Sequence, residues 1–467
     1  MLAAMPPTPP PTPEPGEPRI RDRGDACPGA LRLHSADDGR LARLRLPGGR
    51  LTSRQVEFLA DAAESLGDGR LSITSRGNAE LRGLADDCGA ELAALLAEAG
   101  LLPSPTHERV RNIVASPAAG LDGLGAADVQ LWARELDALL CSAPWAAALS
   151  GRFLFVLDDG RGDVAGLGGD VTLVAVQGGG AELHVGGRAF RVAAADAARA
   201  ALAAAGAFLD AARDAGTGAW RVRELPEGTE IDATGALAAA GLPTEPVTAQ
   251  SPGLPTEPLA PQRVPVVPAP ASVPASASAP GAVPPPPLPH GPAPSPGPLG
   301  PAALSVLAPL GRLTAAQLRA LLPADEVRLT PWRGVVVVGA GAERLPVLDA
   351  AGLVTRPDSP WAGVTACTGR PGCAKSLADV RTDATTTATA AGAAAGTATA
   401  TATAAGTATA AAPGRPVHFS GCERRCGHPH GAWTDVLATA GGDYLVDGVP
   451  TPRTALPEAV TAARTTR

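Results

Sequence analysis

Four cysteines in the last quarter of the chain have the types and spacing that could carry chemistry. Cys367 and Cys373 form a C-x5-C pair, and Cys422 and Cys426 form a C-x3-C pair further along. Two close pairs of thiolates supply the terminal sulfur ligands of one [4Fe–4S] cluster, one for each iron. Neither spacing is the CxxC of zinc ribbons and thioredoxin-like redox sites. We therefore predict a [4Fe–4S] site, with a structural zinc site as the alternative.

Arginines in three other segments and between the last two cysteines predict an anionic ligand. The guanidinium group donates paired hydrogen bonds in a planar fork that matches a carboxylate. The alternative is that each arginine is a solvated surface charge. The candidates are Arg76, Arg82, Arg111, Arg152, Arg424 and Arg425.

An internal repeat predicts a duplicated fold that positions these residues. The segment P-G-G-R-L-T-S-R-Q at 47–55 reappears as P-L-G-R-L-T-A-A-Q at 309–317. Each copy leads through an amphipathic helical pattern into a strand. With only two copies, the repeat indicates duplication of an α/β unit rather than a solenoid. The threonine before each helical pattern, Thr52 or Thr314, is a suitable N-cap.

A second segment with its own strand signals follows each copy. In the first half, apolar runs at 152–160, 171–177 and 181–185, the last two joined by a Gly-Gly-Gly turn, predict an antiparallel meander. In the second half, the strand pattern at 442–448 follows the cysteine pairs. We expect two similar halves, of which only the second holds the cluster.

Composition limits the compartment and the partners. The formal net charge of −7 argues against nucleic-acid binding. Proline interrupts the first residues at once, so no signal peptide is predicted. The apolar segment 192–212 contains charged residues and is predicted to be an Ala-rich helix rather than a membrane span. We expect a cytoplasmic protein without a membrane or nucleic-acid partner, in which Cys27, Cys88 and Cys141 are not cluster ligands.

The cysteine spacing and two earlier segments resemble the siroheme-dependent nitrite and sulfite reductase superfamily, whose cluster motif is C-x5-C…C-x3-C. L-S-I-T-S-R-G-N-A-E-L-R-G at 71–83 is similar to the first substrate-site strand of that family, with Glu80 in place of the usual glutamine. R-V-R-N-I-V-A-S-P-A-A-G at 109–120 is similar to the second. The substrate-binding residues that the resemblance implies are Arg76, Asn78, Arg82, Arg111, Asn112 and Arg152.

The resemblance implies an α+β fold of two quasi-equivalent fused halves about a pseudo-twofold axis, with the ligand between them. Each half combines a ferredoxin-like half-domain with a sulfite-reductase-type α/β domain. The expected boundaries are 1–20 for a disordered Pro-rich N-terminus, 21–104 for the first ferredoxin-like half-domain, 105–241 for a domain without a cluster, 242–300 for a Pro/Ala-rich linker, 301–352 for the second ferredoxin-like half-domain, and 353–467 for the cluster domain, with a disordered insert at 383–413.

Within the superfamily, the chain is most similar to the branch that modifies the metal-free tetrapyrrole precorrin-3A in aerobic cobalamin biosynthesis. The reductases surround a small oxyanion with two arginines and two lysines, but Arg152 and Leu154 stand at the lysine positions here. An aliphatic side chain does not offset the charge of sulfite or nitrite. A siroheme-dependent sulfite or nitrite reductase is the alternative, and a non-catalytic Fe–S or zinc-binding protein is an alternative of another class.

The resemblance therefore implies an NADH-linked iron–sulfur monooxygenase that uses O₂ to hydroxylate C20 of precorrin-3A and closes a γ-lactone. The implied partners are this tetrapyrrole, O₂ and an electron donor system. The implied cofactors are a [4Fe–4S] cluster and a mononuclear non-haem iron, or siroheme if the reductase alternative holds. His418, His428 and His430 are candidate ligands of the mononuclear iron, with structural histidines as the alternative.

Overall fold

The computed structural model describes residue 25 and residues 28–247, 288–405, 414–429 and 431–465. The predicted N-terminal segment 1–20, Cys27, His430 and parts of the predicted linker and insert lie outside the described residues. Within the described ranges the chain forms an α+β fold with four β-sheets. Two of these sheets belong to each half, as the internal repeat predicted.

The first half begins with a small sheet covered by two helices. Apolar residues alternate with polar ones along its strands, so that Leu71 and Leu81 are fully buried against the helices. The elements of this unit are β1 (His34–Ala36), β2 (Gly39–Leu44), β3 (Arg50–Leu51), α1 (Ser53–Leu66), β4 (Arg70–Ile73), β5 (Ala79–Leu84) and α2 (Gly89–Glu98).

A larger sheet of mixed direction follows in the first half. Its strands pack against α-helices rich in alanine, whose small side chains allow close approach to the sheet. The elements of this unit are β6 (Ile113–Ala115), α3 (Val129–Ser142), β7 (Phe155–Asp158), β8 (Val171–Val176), β9 (Gly180–Val185), β10 (Arg188–Ala193), α4 (Ala197–Asp214), α5 (Ala233–Ala239) and β11 (Glu245–Pro246).

The second half repeats both units in the same order. Its small unit contains β12 (Gly297–Pro298), β13 (Ala303–Leu307), β14 (Arg312–Thr314), α6 (Ala315–Ala320), β15 (Glu326–Leu329), β16 (Gly334–Val338) and α7 (Leu345–Ala350). Its large unit contains β17 (Val364–Ala366), α8 (Val380–Ala405), β18 (Val417–Ser420), β19 (Thr434–Ala438), β20 (Tyr444–Val446), β21 (Val449–Thr451) and α9 (Leu456–Thr465).

The two small sheets exchange one strand with each other. The first has the order β1-β2-β5-β4-β14, and the second has the order β12-β13-β16-β15-β3. The exchanged strands are the G-R-L-T segments of the sequence repeat, and an ion pair anchors each of them in the other half, Arg50 with Glu326 and Arg312 with Asp68. One apolar core runs through both small units. The halves are therefore interlocked rather than simply adjacent.

Both helices after the exchanged strands begin at the threonine that the sequence predicted as an N-cap. The hydroxyl of Thr52 accepts the N–H of Gln55 at 3.2 Å, and the side chain of Gln55 accepts the N–H of Thr52 at 3.0 Å. Thr314 and Gln317 form the same capping box. Each glutamine also donates to the carbonyl of a residue near the end of the neighbouring helix, Ala99 or Ala351. The prediction of two N-caps is confirmed.

The two large sheets share one pattern of strand directions. In the first, β6, β7 and β8 are parallel and β9 to β11 follow antiparallel. In the second, β17, β18 and β19 are parallel, with β20 and β21 antiparallel. The predicted meander is therefore correct for β8 and β9 but wrong for β7 and β8, which are parallel. The stretch between them crosses over the sheet and is long enough for a parallel connection.

Two predicted irregular segments are shorter than expected. The ends of the predicted linker 242–300 contain β11 and β12, which pair with β10 and β13. The predicted insert 383–413 begins inside α8, and its residues Ala384 and Ala388 are buried in the core of the cluster domain. Asp383 accepts the hydroxyl of the buried Tyr444. The prediction of disorder is therefore wrong for residues 383–393. Ala384 and Ala388 are four residues apart, so they lie on the same face of α8 and pack in the core.

The Ala-rich helix predicted at 192–212 is α4, which packs on the first large sheet. None of the helices in the described part of the chain is both long and apolar enough to span a bilayer.

Candidate functional site

The two cysteine pairs lie at the carboxyl ends of neighbouring parallel strands. Cys367 directly follows β17, and Cys422 is the second residue after β18. The N–H of Gly421 donates to the sulfur of Cys367 at 3.2 Å, which joins the two loops. Because parallel strands end at the same edge of a sheet, the register of β17 and β18 brings the two pairs together.

All four thiols are close enough to influence one another. Burial, and then the charges of Cys367, Cys422 and Cys373 with a counteracting effect of Arg424, raise the pKa of the Cys426 thiol. Thiolates that repel one another are stabilised when they coordinate a shared cation, so the set of donors fits an iron–sulfur cluster. Cys88 and Cys141 lie elsewhere, in α2's N-cap and α3.

The cysteine sulfurs are not gathered around a single point. Among the described residues, the group of three or more potential ligands within 4.8 Å of one another is Asp158, Asp159 and Asp163, and it contains no cysteine. The [4Fe–4S] site and the zinc site both stay predictions from the sequence.

The first half contains the pseudo-symmetric counterpart of this site, without cysteines. Ser116 follows β6 as Cys367 follows β17. The N–H of Asp159 donates to the hydroxyl of Ser116 at 3.1 Å, in the way that Gly421 donates to Cys367. Hydroxyl and carboxylate groups replace thiols in this loop. That only the second half holds a cluster stays a prediction.

Most carboxylate oxygens of that counterpart loop are already committed to protein donors. Asp158 accepts backbone N–H groups from four residues of its own loop, and Asp159 pairs with Arg161. One oxygen of the buried Asp163 accepts the hydroxyl of Ser116 at 2.6 Å, while the other has no partner among the described residues. Burial raises the pKa of Asp163 to about 7, with the charges of the two neighbouring carboxylates acting in the same direction.

This carboxyl predicts a pH dependence of stability. Between its usual pKa and about 7 the folded protein keeps the Asp163 proton and the unfolded chain does not, so this residue lowers the free energy of unfolding as pH rises through that range. We expect Asp163→Asn to become progressively more stable than the wild type from pH 5 to pH 8, by a few kcal/mol at most, in urea unfolding. Asp210→Asn, at an exposed position of α4, is the control. A stability difference that does not change with pH would contradict the assignment.

A cleft opens between the first small sheet and the cysteine loops. One part of it, about 350 Å³ in volume, is lined by Cys367 and Cys426 together with several arginines. The adjoining part is about 640 Å³ and extends along Arg70, Arg82 and Arg312 to the first turns of α8. Both volumes lie in the range of small-molecule sites. The arginines of the smaller part are Arg43, Arg45, Arg76, Arg152, Arg333 and Arg381.

Of the predicted substrate residues, two arginines line the smaller part of the cleft. Arg76 and Arg152 line the smaller part of the cleft, where the guanidinium of Arg76 donates to the carbonyl of Arg152 at 3.3 Å. Arg152 also lies over the ring of Trp220, 5.6 Å from its centroid. Both guanidinium groups therefore border the cleft, and ligand binding by them stays a prediction.

The two predicted asparagines hold the cleft wall together. The side-chain amide of Asn78 donates to the carbonyl oxygen of Asn112 at 3.0 Å, and that of Asn112 donates to the backbone of Phe153 at 2.9 Å. Asn78 lines the cleft, whereas Asn112 is completely buried. The pair therefore joins the start of β5 to the second predicted motif. These hydrogen bonds occupy both side-chain amides, so the two asparagines position Arg76 in the cleft wall.

Arg82 and Arg111 are occupied by carboxylates. Arg82 lines the larger part of the cleft, but its guanidinium donates to Asp38 at 2.9 and 2.8 Å. Arg111 donates to both oxygens of Asp137 at 2.6 and 2.7 Å and is absent from the lining of the cleft. Direct substrate contact by Arg111, as expected from the motif, is therefore not supported, because α3 supplies a carboxylate that already satisfies it.

Sequence reasoning missed four of the six arginines that line the smaller part of the cleft. Arg43 lies opposite Glu80 in the register of β2 and β5, so both side chains share the cleft face of the sheet. Alternation along β2 would have placed Arg45 on that same face. Burial lowers the pKa of Arg333, and burial and then the neighbouring Arg312 and Arg82 lower that of Arg381 to about 10. No short motif marks these last two, because their positions depend on the pairing of the halves.

Two of the three predicted histidine ligands, His418 and His428, belong to the described part of the chain, where they are not in a group of potential metal ligands. His418 is fully buried on β18, and its Nδ1 lies 2.9 Å from the hydroxyl of Thr365. Burial lowers its pKa to about 3, so the ring is neutral. His428 stacks on Trp433, with 5.2 Å between the ring centroids. The described residues therefore favour the structural alternative for His418 and His428.

Leu154, which stands at a position where the resemblance predicts a lysine in the reductases, brings no charge to the cleft. Leu154 is buried in an apolar cluster with Val114, Val156 and Val164. Arg425, one of the two arginines between the last cysteines, pairs with Asp435 at 2.7 Å.

Comparison with known proteins supports a relationship to nitrite and sulfite reductases. Residues 34–99 match the family described as the nitrite/sulfite reductase ferredoxin-like half domain. The chain is 39% identical over 84 residues to ferredoxin–nitrite reductase of Leptolyngbya laminosa, a match that covers 18% of this chain and 16% of that protein. It is 33% identical over 155 residues to precorrin-3B synthase of a Sinorhizobium species, covering 33% of each chain. The matched regions thus span at most a third of these relatives.

The structure is similar to a solved protein along most of its length. It matches the NirA protein of Mycobacterium tuberculosis with a TM-score of 0.60 at 18% sequence identity, covering 90% of this chain and 79% of that one. The match of residues 34–99 falls within the first small unit, and the structural match extends over both halves. Residues 34–99 are therefore similar to the nitrite/sulfite reductase ferredoxin-like half domain, and the chain has the α+β fold of the NirA protein.

Proposed function

We propose that this chain is a precorrin-3B synthase, an oxygenase of cobalamin biosynthesis. The observation that carries the proposal is that Cys367 and Cys426 form one wall of a cleft whose other walls are lined by arginines. Such a cleft suits a macrocycle with many acidic side chains that must lie close to an electron-transfer centre. The similarity to precorrin-3B synthase of a Sinorhizobium species supports the same activity.

The proposed reaction is balanced by O₂ and a two-electron reductant. One oxygen atom enters precorrin-3A as the hydroxyl at C20, and the ring-A acetate closes a γ-lactone at C1. The second oxygen atom leaves as water, which takes up two protons and the two electrons of a reduced nicotinamide through a donor system. A [4Fe–4S] cluster, when bound by Cys367, Cys373, Cys422 and Cys426, supplies the one-electron steps between donor and O₂.

The residues of the chain bind and orient the substrate. Arg76, between β4 and β5, and Arg152, just before β7, offer guanidinium groups to the acidic side chains of the macrocycle from one wall of the cleft. Asn78 and Asn112 hold that wall in position, since each side chain donates to a carbonyl of the neighbouring segment. The walls of the cleft keep the macrocycle close to the cysteine loops and reduce its exposure to water.

The environment of Leu154 favours this reaction over reduction of sulfite or nitrite. A small oxyanion concentrates its charge and depends on several charge-assisted hydrogen bonds, each worth roughly 1.5–3 kcal/mol. The apolar cluster around Leu154 supplies none from the position at which the reductases have a lysine. A macrocycle with acidic side chains around its rim depends less on any single position.

The test is incubation of anaerobically purified protein with precorrin-3A, a reductant and O₂. We expect the hydroxylactone, identified by mass spectrometry, with one labelled atom when ¹⁸O₂ is used. We expect no useful rate of sulfite or nitrite reduction and no siroheme absorption band. Robust six-electron sulfite reduction would overturn the proposal in favour of the siroheme branch. Absence of iron and sulfide, with zinc in their place, would favour the non-catalytic alternative.

A further inference from the structure

Arg333 and Arg381 are among the cleft arginines for which the described residues supply no carboxylate partner. Arg333 and Arg381 line the same cavity as Cys367 and Cys426. Neither of them forms an ion pair, although Arg43, Arg82 and Arg312 on the opposite wall pair with Glu80, Asp38 and Asp68. Each of the two instead donates to a backbone carbonyl beside the cysteines, Arg333 to Gly427 at 2.7 Å and Arg381 to Cys367 at 3.1 Å.

The fold makes room for Arg333 at some cost. Arg333 has a left-handed backbone with φ of 61° on the turn before β16, a conformation that is unfavourable for a residue with a side chain. In the equivalent turn of the first half, Gly77 occupies the left-handed position, with φ of 66°. A Cβ on Gly311 would lie 2.4 Å from the side chain of Arg333, and a Cβ on Gly427 would lie 2.4 Å from its guanidinium. Two glycines therefore cradle this arginine along its length.

The thiolate of Cys367 is the negative charge of the described residues that acts on both guanidinium groups, and no carboxylate of these residues pairs with either of them. Partly buried cations are stabilised by hydrogen-bonded anions, so an acidic ligand in the cleft would supply the missing carboxylates. The open side of both guanidinium groups is the cleft. A guanidinium held by one backbone carbonyl keeps its remaining N–H donors for a planar acceptor, and carboxylate is the acceptor that matches the fork.

Building on the proposed function, we infer that Arg333 and Arg381 form a carboxylate-binding subsite on the cluster-bearing side of the cleft. The subsite anchors two acidic side chains of a tetrapyrrole next to Cys367 and Cys426. It thereby determines which edge of the macrocycle faces the cysteine loops. Arg76 and Arg152, on the opposite wall, bind the acidic groups of the other edge.

The test measures binding of uroporphyrin, a metal-free polycarboxylate tetrapyrrole, to the full-length protein by anaerobic equilibrium dialysis. We expect Arg333→Gln and Arg381→Gln each to raise the Kd about tenfold or more. Arg333→Lys keeps the charge without the planar fork and should show an intermediate Kd. Arg199→Gln removes an arginine of α4 that pairs with Asp196 and does not line the cleft, and we expect its Kd to change by less than about threefold at physiological ionic strength.

Thermal unfolding without ligand separates this role from a structural one. If the two arginines serve the ligand, the Gln variants should keep their iron content and unfold at about the wild-type temperature, because neither substitution breaks an ion pair with a carboxylate of the described residues. Lower unfolding temperatures with loss of iron would show that the arginines only hold the loops, and would overturn the subsite.

Two further outcomes would also overturn the subsite: unchanged Kd values in both Gln variants, or no binding of uroporphyrin to the wild type. If these variants bind normally while the wild type still converts precorrin-3A, only the subsite fails. If binding depends on Arg333 and Arg381 but precorrin-3A is not converted, the subsite stands and the proposed reaction fails.

Discussion

Replacement of Cys367 by Ser is expected to remove nearly all iron and acid-labile sulfide from the purified protein. A serine oxygen is a harder and poorer ligand for an iron–sulfur cluster than a thiolate. The sulfur of Cys367 also accepts the N–H of Gly421, so this residue aligns the two ligand loops. Iron and sulfide analysis of anaerobically purified protein, with its visible spectrum, measures the effect. We expect the same loss for Cys373→Ser, Cys422→Ser and Cys426→Ser.

Cys88→Ser is the matched control, because this cysteine occupies the N-cap position of α2 and is buried in the core of the small units. It should keep the iron and sulfide content of the wild type. Full iron and sulfide content in Cys367→Ser would show that the cluster is bound elsewhere or with another ligand.

Replacement of Arg82 by Ala is expected to destabilise the fold by about 3–5 kcal/mol, the usual cost of leaving buried charges without a partner. The guanidinium of Arg82 is buried between Asp38 and Glu80. It also donates to the carbonyl of Gly372 at 2.9 Å, beside the ligand Cys373. The change therefore removes the contact by which the first small sheet holds the first cysteine loop. Urea unfolding and the iron content after dialysis measure the two consequences.

Arg40→Ala is the control for Arg82, since Arg40 lies on the same sheet and pairs with the largely exposed Asp86. An exposed pair contributes at most about 1 kcal/mol, so this variant should remain close to the wild type. If Arg82→Ala is as stable as Arg40→Ala and retains its iron, the ion pairs of Arg82 do not hold the loop, and a role in ligand binding becomes the better interpretation.

The chemistry of the cluster could be predicted from the sequence because it depends on residue type and local spacing. Two short loops with two thiols each define the ligand set, whatever the rest of the chain does. The repeat of G-R-L-T revealed the duplication for the same reason, since a strand, a capping threonine and a helix are specified by consecutive residues. Thr52 and Thr314 cap their helices as predicted.

The roles of the arginines could not be predicted in this way, because they depend on which carboxylates the fold brings within reach. Arg111 stands in a ligand-binding motif, yet Asp137 on α3 occupies its guanidinium. Arg333 and Arg381 stand in no recognised motif, yet both reach the cleft without a carboxylate partner among the described residues. An ion pair joins residues that are distant in sequence, and no local pattern records that pairing.

The same reason explains the errors in the fold. The composition of the Ala/Thr repeat after Asp383 shows no apolar stripe. Ala384 and Ala388 are nevertheless buried in the core of the second large unit, and this packing stabilises the start of the helix although its intrinsic helix propensity is weak. The direction of β7 against β8 depends on the path of the connection, not on the strands themselves. By itself, then, the sequence determined the duplication and the helix caps, and it predicted the four cysteines as cluster ligands. Only the tertiary structure decided which charges are neutralised, which remain for a ligand and which repeats are ordered, because these follow from contacts between segments far apart in the chain.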